Sequence, residues 1–147
     1  MELIDAVTDF SIEKDIVRPE YDVEFRISED REVFAWGRSL IPHSALCCIA
    51  YCNEIPINME QLTEYSINHS PYRGDIAVAY TVWNCSDTKG SGRSLILALQ
   101  KHFSSHAKVN RLVTLSPLTE MAKRFHLSNG ARLLSTNPES YNFEYEI

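Results

Sequence analysis

Apolar and polar residues alternate along Tyr21 to Ile27 (YDVEFRI). That period of two predicts a half-buried strand, with Glu32 to Trp36 as its hairpin partner. Ahead of them, the first 20 residues read as a helix closed by a turn at Arg18-Pro19. Ser44 to Tyr51 (SALCCIAY) is a continuous apolar run of strand length, the pattern of a central strand covered on both faces. Met59 to Ile67 reads as a short helix, ended by the turn-rich Asn68-His69-Ser70-Pro71. Asp75 to Trp83 (DIAVAYTVW) is rich in β-branched and aromatic residues and predicts a strand. A polar, glycine-bearing loop follows, from Asn84 to Gly92. Arg93 to His106 then forms an amphipathic helix, with Leu95, Ile96, Leu99 and Phe103 on one side and Gln100, Lys101 and Ser104 opposite. Leu112 to Leu115 is a short strand. Ser116-Pro117 opens another helix that runs to about Ser128, with Ser as N-cap and Pro at the first helical position. Asn129-Gly130 closes it. Ala131 to Ser135 and Tyr141 to Ile147 are two further strands. The order of strand, glycine loop, helix, strand, helix, strand, strand makes this an α/β chain, without internal repeat or low-complexity linker.

A length of 147 residues suits one domain spanning 1–147, and 44% hydrophobic with 23% charged residues is ordinary globular composition. The formal net charge of −6 disfavours DNA, RNA and anionic membranes as partners, since those call for clustered Lys and Arg. It leaves room for a phosphate ligand, because anion sites are built from local backbone N–H groups. Met1 to Phe10 is acidic and mixed, without the features of a signal peptide, and no apolar run approaches about 18 residues. The expected location is therefore the cytosol, with no membrane partner. Cys47, Cys48, Cys52 and Cys85 form no CxxC pair and read as buried reduced thiols rather than a zinc site.

The stretch Lys89-Gly90-Ser91-Gly92-Arg93-Ser94 joins the strongest strand to the strongest helix. Glycines there let backbone N–H groups turn toward one point, and the helix N-terminus adds roughly half a positive charge. Together they make a phosphate cradle, to which Asn84 at the strand end also belongs. The plain alternative is a tight turn that needs glycine. It is not a P-loop, and Leu95 stands where a dinucleotide fingerprint would need its third glycine. His102 and His106, at i and i+4, lack a third ligand nearby in sequence, so no metal is expected.

This order of elements resembles the core of the GNAT acyltransferases. Thr88 to Arg93 is similar to the tail of their Arg/Gln-x-x-Gly-x-Gly/Ala loop, and Ala122 to Ala131 (AKRFHLSNGA) to their later A-x-x-F-Y-x-x-x-G-F stretch, with His126 where many carry a tyrosine acid. Within that fold, TLSP (Thr114 to Pro117) followed by RFHLSNGA (Arg124 to Ala131) resembles malonyl-CoA decarboxylase. So do AVAYTVWN (Ala77 to Asn84), GSGRSLILALQ (Gly90 to Gln100) and YNFEY (Tyr141 to Tyr145). The resemblance covers residues 75 to 147. It implies a GNAT-like fold, a mixed central sheet flanked by helices, and a coenzyme A thioester as substrate.

In that family the Ser of TLSP and the His of FHL are catalytic, which points to Ser116 and His126. The plain readings are a helix N-cap for Ser116 and a packed histidine for His126. Tyr80, Trp83 and Asn129 are the candidate substrate-side residues, with core packing and a helix C-cap as their structural alternatives. The chain departs from the family in two respects: nine residues separate Ser116 from His126 where the family has a long insertion, and Phe143 stands in place of a Tyr. Three functions follow from the resemblance. They are decarboxylation of a malonyl-type thioester with His126 as proton donor, acyl transfer from acyl-CoA to an amine, and CoA or partner binding without catalysis. The partner is acyl-CoA or an acyl carrier protein, and homodimerisation through an edge strand stays open.

Overall fold

The structure is a computed structural model and describes residues 1–38, 43–67 and 73–147. The turn expected at Asn68 to Pro71 lies outside these residues. Its centre is a strand, β3 (Ala45–Cys52), buried at every position. A strand reads as continuously apolar when both faces are covered. Here Cys47 and Ile49 face one cluster and Leu46, Cys48 and Ala50 the other.

Around β3 lie β1 (Glu2–Ile4), β2 (Arg31–Gly37), β4 (Ile76–Asn84), β5 (Arg111–Thr114), β6 (Ser116–Pro117), β7 (Arg132–Thr136) and β8 (Ser140–Tyr145). They join in the order β1-β2-β3-β4-β5-β8-β6, with β7 also on β8. Among the described residues β4 and β5 are the parallel pair, and the other pairings are antiparallel. One face carries α3 (Ser91–Ser104), which buries Leu95, Ile96, Leu99 and Phe103 against Phe34 and Ile49. Each such burial contributes about 1.5–3 kcal/mol. α4 (Glu120–Ser128) lies on the same face through His126, which stacks on Phe143. The other face carries α1 (Val23–Ile27) and α2 (Met59–Tyr65), where Met59, Leu62 and Phe25 pack near Tyr80.

From β2 onward the elements follow the sequence pattern, α2 included, except at Ser116-Pro117, and residues 1–27 depart from it. No helix forms over the first 20 residues. Beyond β1 the backbone turns irregularly, because the buried Asp15 carboxylate accepts the N–H groups of Val17 (2.9 Å) and Arg18 (3.1 Å), closing a turn against helix growth. Tyr21 to Ile27 is not a strand. Asp22 caps a helical turn by accepting Phe25 N–H at 2.9 Å, and the supposedly outward-facing Arg26 is fully buried. Five helical residues are too few for a 3.6 period to show against an alternating one. β2 therefore pairs with β1 and β3 rather than with that segment.

Ser116-Pro117 does not open a helix either. It forms the edge strand β6 on β8, a place proline tolerates because it has no N–H to offer a ladder. α4 starts later, with Thr119 accepting Ala122 N–H at 3.1 Å as its N-cap. The stop at Asn129-Gly130 stands where the sequence put it, with Gly130 at φ 95°. Cys47, Cys48 and Cys52 are buried free thiols, and burial pushes Cys48 and Cys52 up to about 12. Cys85 is only partly buried.

Candidate functional site

The site is created by a parting of strands. β4 and β5 run parallel from Ile76/Arg111 to Ala79/Thr114, and a last hydrogen bond joins Leu115 N–H to Ala79 O at 2.9 Å. β4 then continues alone, while the other chain turns into β6 to pair with β8. A cavity of about 530 Å³ fills the gap. Residues Lys14 to Val17 of the N-terminal loop form one wall, the start of α3 the second, and α4 with β6 the third.

A β-bulge sets which residues of β4 face it. Ile49 pairs with Ala79 and Cys48 with Thr81, so Tyr80 is an extra residue in β4. Val78, Tyr80 and Trp83 consequently share the α1/α2 face, and Val82 turns toward α3. Cys85 N–H bonds Ser44 O on the β3 side, so strand alternation points the main-chain groups of Val82 and Asn84 into the gap. These groups, with no main-chain partner among the described residues, suit an extended amide-bearing ligand that adds itself as a strand.

At the α3 end, Gly90 adopts φ +82° as the N-cap, a conformation that favours glycine. Asn84 Oδ1 accepts Gly92 N–H at 2.9 Å, and Gly90 O accepts Ser94 N–H. The amides of Ser91 and Arg93 remain as first-turn donors without a described partner. Arg93 binds Ser128 O and Asn129 Oδ1, both at 3.1 Å, tying α3 to the end of α4. Of the residues singled out in the sequence, Asn84, Gly90, Gly92, Arg93, Tyr80, Trp83, Asn129, Ser116 and His126 line this one cavity. Lys89, Ser91 and Ser94 do not. Ser91 is buried with its hydroxyl on Thr88 O. The Tyr80 and Trp83 side chains belong to the core on the α1 face.

His126 is 6% exposed, stacks on Phe143 with ring centroids 5.1 Å apart, and places Nδ1 2.7 Å from the Tyr145 hydroxyl. Burial pushes the tyrosine pKa up, so its hydroxyl keeps its proton and has one to offer Nδ1. We assign the ring N–H to Nε2 on that ground. Burial also lowers the His126 pKa from 6.5 to about 4. The ring is therefore neutral at pH 7. Ser116 Oγ donates to Thr114 Oγ1 at 2.9 Å, and Thr114 Oγ1 also accepts Phe143 N–H at 3.0 Å. Among the described residues no base touches the Ser116 hydroxyl.

The depressed His126 pKa has a measurable consequence. The unfolded chain takes up a proton near pH 6.5 and the folded chain only near 4, so stability is complete above 6.5 and is lost as pH falls through this window. The expected loss is about 3 kcal/mol at pH 4. Denaturant melts of the wild type and His126→Phe between pH 4 and 7 check it, and parallel pH dependence in the two would rule it out.

Sequence reasoning missed Asp15, Lys14 and Arg18, which shape the N-terminal wall. No local pattern marks them, since their partners lie far along the chain. Lys14 Nζ bonds Cys85 O at 3.1 Å, and Thr81 Oγ1 donates to Asp15 at 2.9 Å.

No family model matches the chain, and no curated protein matches it in sequence. Solved structures do match in shape. Malonyl-CoA decarboxylase from Agrobacterium vitis superposes with a TM-score of 0.69 and 18% identity over 92% of this chain and 56% of that one, so the chain spans little more than half of the decarboxylase. NAA60 of Arabidopsis thaliana, solved with a bisubstrate analogue, gives 0.55 and 18% over 86% and 84%. A chain of the KacTA–DNA complex gives 0.60 and 13% over 97% and 91%. The fold is thus GNAT-like, a mixed sheet flanked by helices. Because one neighbour comes from a DNA complex, the fold does not exclude nucleic acid; that expectation rests on the net charge alone. Among the described residues no helix is long and apolar enough to cross a membrane.

Proposed function

We propose that the cleft between β4 and β5 binds an acyl thioester of the coenzyme A type and decarboxylates a malonyl-type acyl group. The observation that carries this reading is the charge pattern of the cavity. Lys14 and Arg93 line it, and no Asp or Glu does among the described residues, in a chain with 20 acidic side chains. Such a site accepts an anionic substrate and offers no carboxylate to hold a cationic amine.

The phosphates of the thioester sit at the α3 N-terminus, beside Gly90 and on the first-turn amide of Arg93. Its amide arm lies along the unpaired edge of Val82 and Asn84. The acyl group then reaches the bulge, near His126 and Ser116. There Leu115, Val17, Met121 and Phe125 make the walls largely apolar. A carboxylate is poorly solvated among them, which favours spreading its charge. The bond between the α-carbon and the carboxylate breaks, CO2 leaves, and the electron pair moves onto the thioester oxygen. His126 Nε2–H donates to that oxygen as charge develops on it, and the Ser116 hydroxyl, turning from Thr114 Oγ1, orients the departing carboxylate. Water then supplies the proton that the α-carbon takes up, giving the shortened thioester. A carrier protein presenting the same pantetheine arm would serve equally as donor.

Incubation with malonyl-CoA and mass spectrometry tests the reading. Acetyl-CoA formed without any acceptor supports it. Turnover of acetyl-CoA only when an amine is added would replace it with acyl transfer, and tight CoA binding with neither product would leave a binding module. A neutral donor at His126 also predicts kcat/KM flat between pH 5 and 8, and a fall near pH 6.5 that His126→Gln removes would show the imidazolium to be the active form.

The phosphate end has its own test. A Cβ on Gly92 would lie 3.3 Å from Asn84 Oδ1 and 3.7 Å from Phe125, so Gly92→Val dislodges the Asn84 cap and crowds the cavity mouth. Calorimetry should show CoA affinity about tenfold weaker, about 1.4 kcal/mol. Equal affinity would count against phosphate binding here.

A further inference from the structure

We infer that Arg18 is a positioning residue, a wedge whose guanidinium fixes the angle at which β4 and β5 part and so the place of the reacting group. Where two strands diverge, the carbonyls just past the last shared hydrogen bond lose their ladder partners. Here that last bond is Leu115 N–H to Ala79 O, and the orphaned carbonyls are those of Tyr80 and Leu115. Arg18 takes both. Its Nε donates to Tyr80 O at 3.3 Å and its Nη2 to Leu115 O at 3.2 Å. A planar fork holding one oxygen on each strand sets their separation in a way that a single flexible ammonium cannot.

The wedge is itself held. Asp15 Oδ1 accepts the backbone N–H of Arg18 at 3.1 Å and the hydroxyl of Thr81 at 2.9 Å. The loop is thereby anchored to β4 one residue beyond the carbonyl that Arg18 grips. Arg26 completes the anchor, with Nη2 on Arg18 O at 2.6 Å and Nη1 on Asp15 Oδ2 at 2.6 Å. Arg18 lies behind the cavity floor formed by Tyr80, Leu115 and Val17. It acts through the backbone and does not touch the substrate.

The kinetic arm of the test rests on the acyl-thioester reading; the exchange arm does not. Arg18→Ala and Arg18→Lys are compared with wild type under conditions where both variants are shown folded by thermal melting. The Leu115 amide should exchange with solvent far faster in both variants, while amides in the centre of β3 keep their protection. In malonyl-CoA turnover, Arg18→Ala should lose about 100-fold in kcat with KM changed much less, as expected when a reacting group is misplaced by about 1 Å. Lysine should restore little of this, and added guanidinium ion should restore part of the alanine variant's kcat. Unaltered Leu115 exchange in both variants would overturn the wedge whatever the reaction proves to be. Wild-type-like kcat in Arg18→Lys, or no rescue by guanidinium, would overturn its role in positioning. A wild type without any thioester turnover would remove the functional reading and leave the exchange result to decide the wedge.

Discussion

His126→Ala is expected to lower malonyl-CoA turnover by about 10² to 10³-fold while leaving CoA affinity within about twofold of wild type, the effect of removing one preorganised donor from a developing oxyanion. The expectation follows from geometry. The ring is clamped between the Phe143 face and the Tyr145 hydroxyl, 2.7 Å from Nδ1, so Nε2–H needs no reorientation when charge appears on the substrate. In the proposed binding mode the phosphates meet the start of α3, around Gly92 and Arg93, and not the His126 ring itself, so ground-state binding does not need the ring. Tyr145→Phe should reproduce part of the loss, because it frees the tautomer that the hydroxyl holds. Steady-state kinetics with calorimetric CoA titration checks both. Full turnover in the alanine variant would remove His126 from the chemistry, and parallel losses in binding and rate would make it a packing residue.

The second large effect concerns the fold. Asp15→Ala should destabilise the protein by about 3–5 kcal/mol, because it strands a buried arginine without its counter-ion. Both side chains of the Asp15–Arg26 pair are 0% exposed and meet at 2.6 Å. The same carboxylate also accepts two backbone N–H groups and the Thr81 hydroxyl. A domain of this size has only about 5–15 kcal/mol in total, so the loss would be a large share of it. The surface pair gives the contrast. Arg132 is 71% exposed beside Glu144, and Arg132→Ala should cost less than about 1 kcal/mol. Replacing both members of the buried pair, Asp15→Leu with Arg26→Met, should recover much of the loss, since two apolar groups leave no buried charge. Guanidinium denaturation midpoints measure all three. A midpoint for Asp15→Ala matching that of Arg132→Ala would show the buried pair to be dispensable.

The two halves of the chain differ in how much their sequence told. From Ile76 onward, strand, glycine loop, helix and strand follow one another with local signals that agree: β-branched residues in β4, apolar spacing in α3, and Asn129-Gly130 at the end of α4. The α/β class and the loop at the α3 N-terminus were read from that stretch, and its resemblance to malonyl-CoA decarboxylase added the GNAT-like fold and the candidates Ser116 and His126. Ser116-Pro117 misled because Ser before Pro is a helix start wherever nothing competes. Here the Thr114 hydroxyl and the edge of β8 compete and win. In the first half, Tyr21 to Ile27 misled because burial of Arg26 rewrites the meaning of alternation, and a charged residue reads as outward-facing until its partner is known.

What residues 75 to 147 determined by themselves was a run of elements and the types of side chain at their ends. Only the assembled sheet decided that β4 carries an extra residue at Tyr80, which reverses the faces of everything beyond it and brings Asn84 onto the start of α3. Only the fold decided that Lys14, Ile16 and Val17 make a wall of the cleft and that Asp15 and Arg18 stand behind it. Local propensities act over a few residues, whereas Arg18 meets carbonyls 62 and 97 positions away. Contacts at that distance are selected by chain closure and burial of the whole domain, and they leave no periodic mark on the sequence.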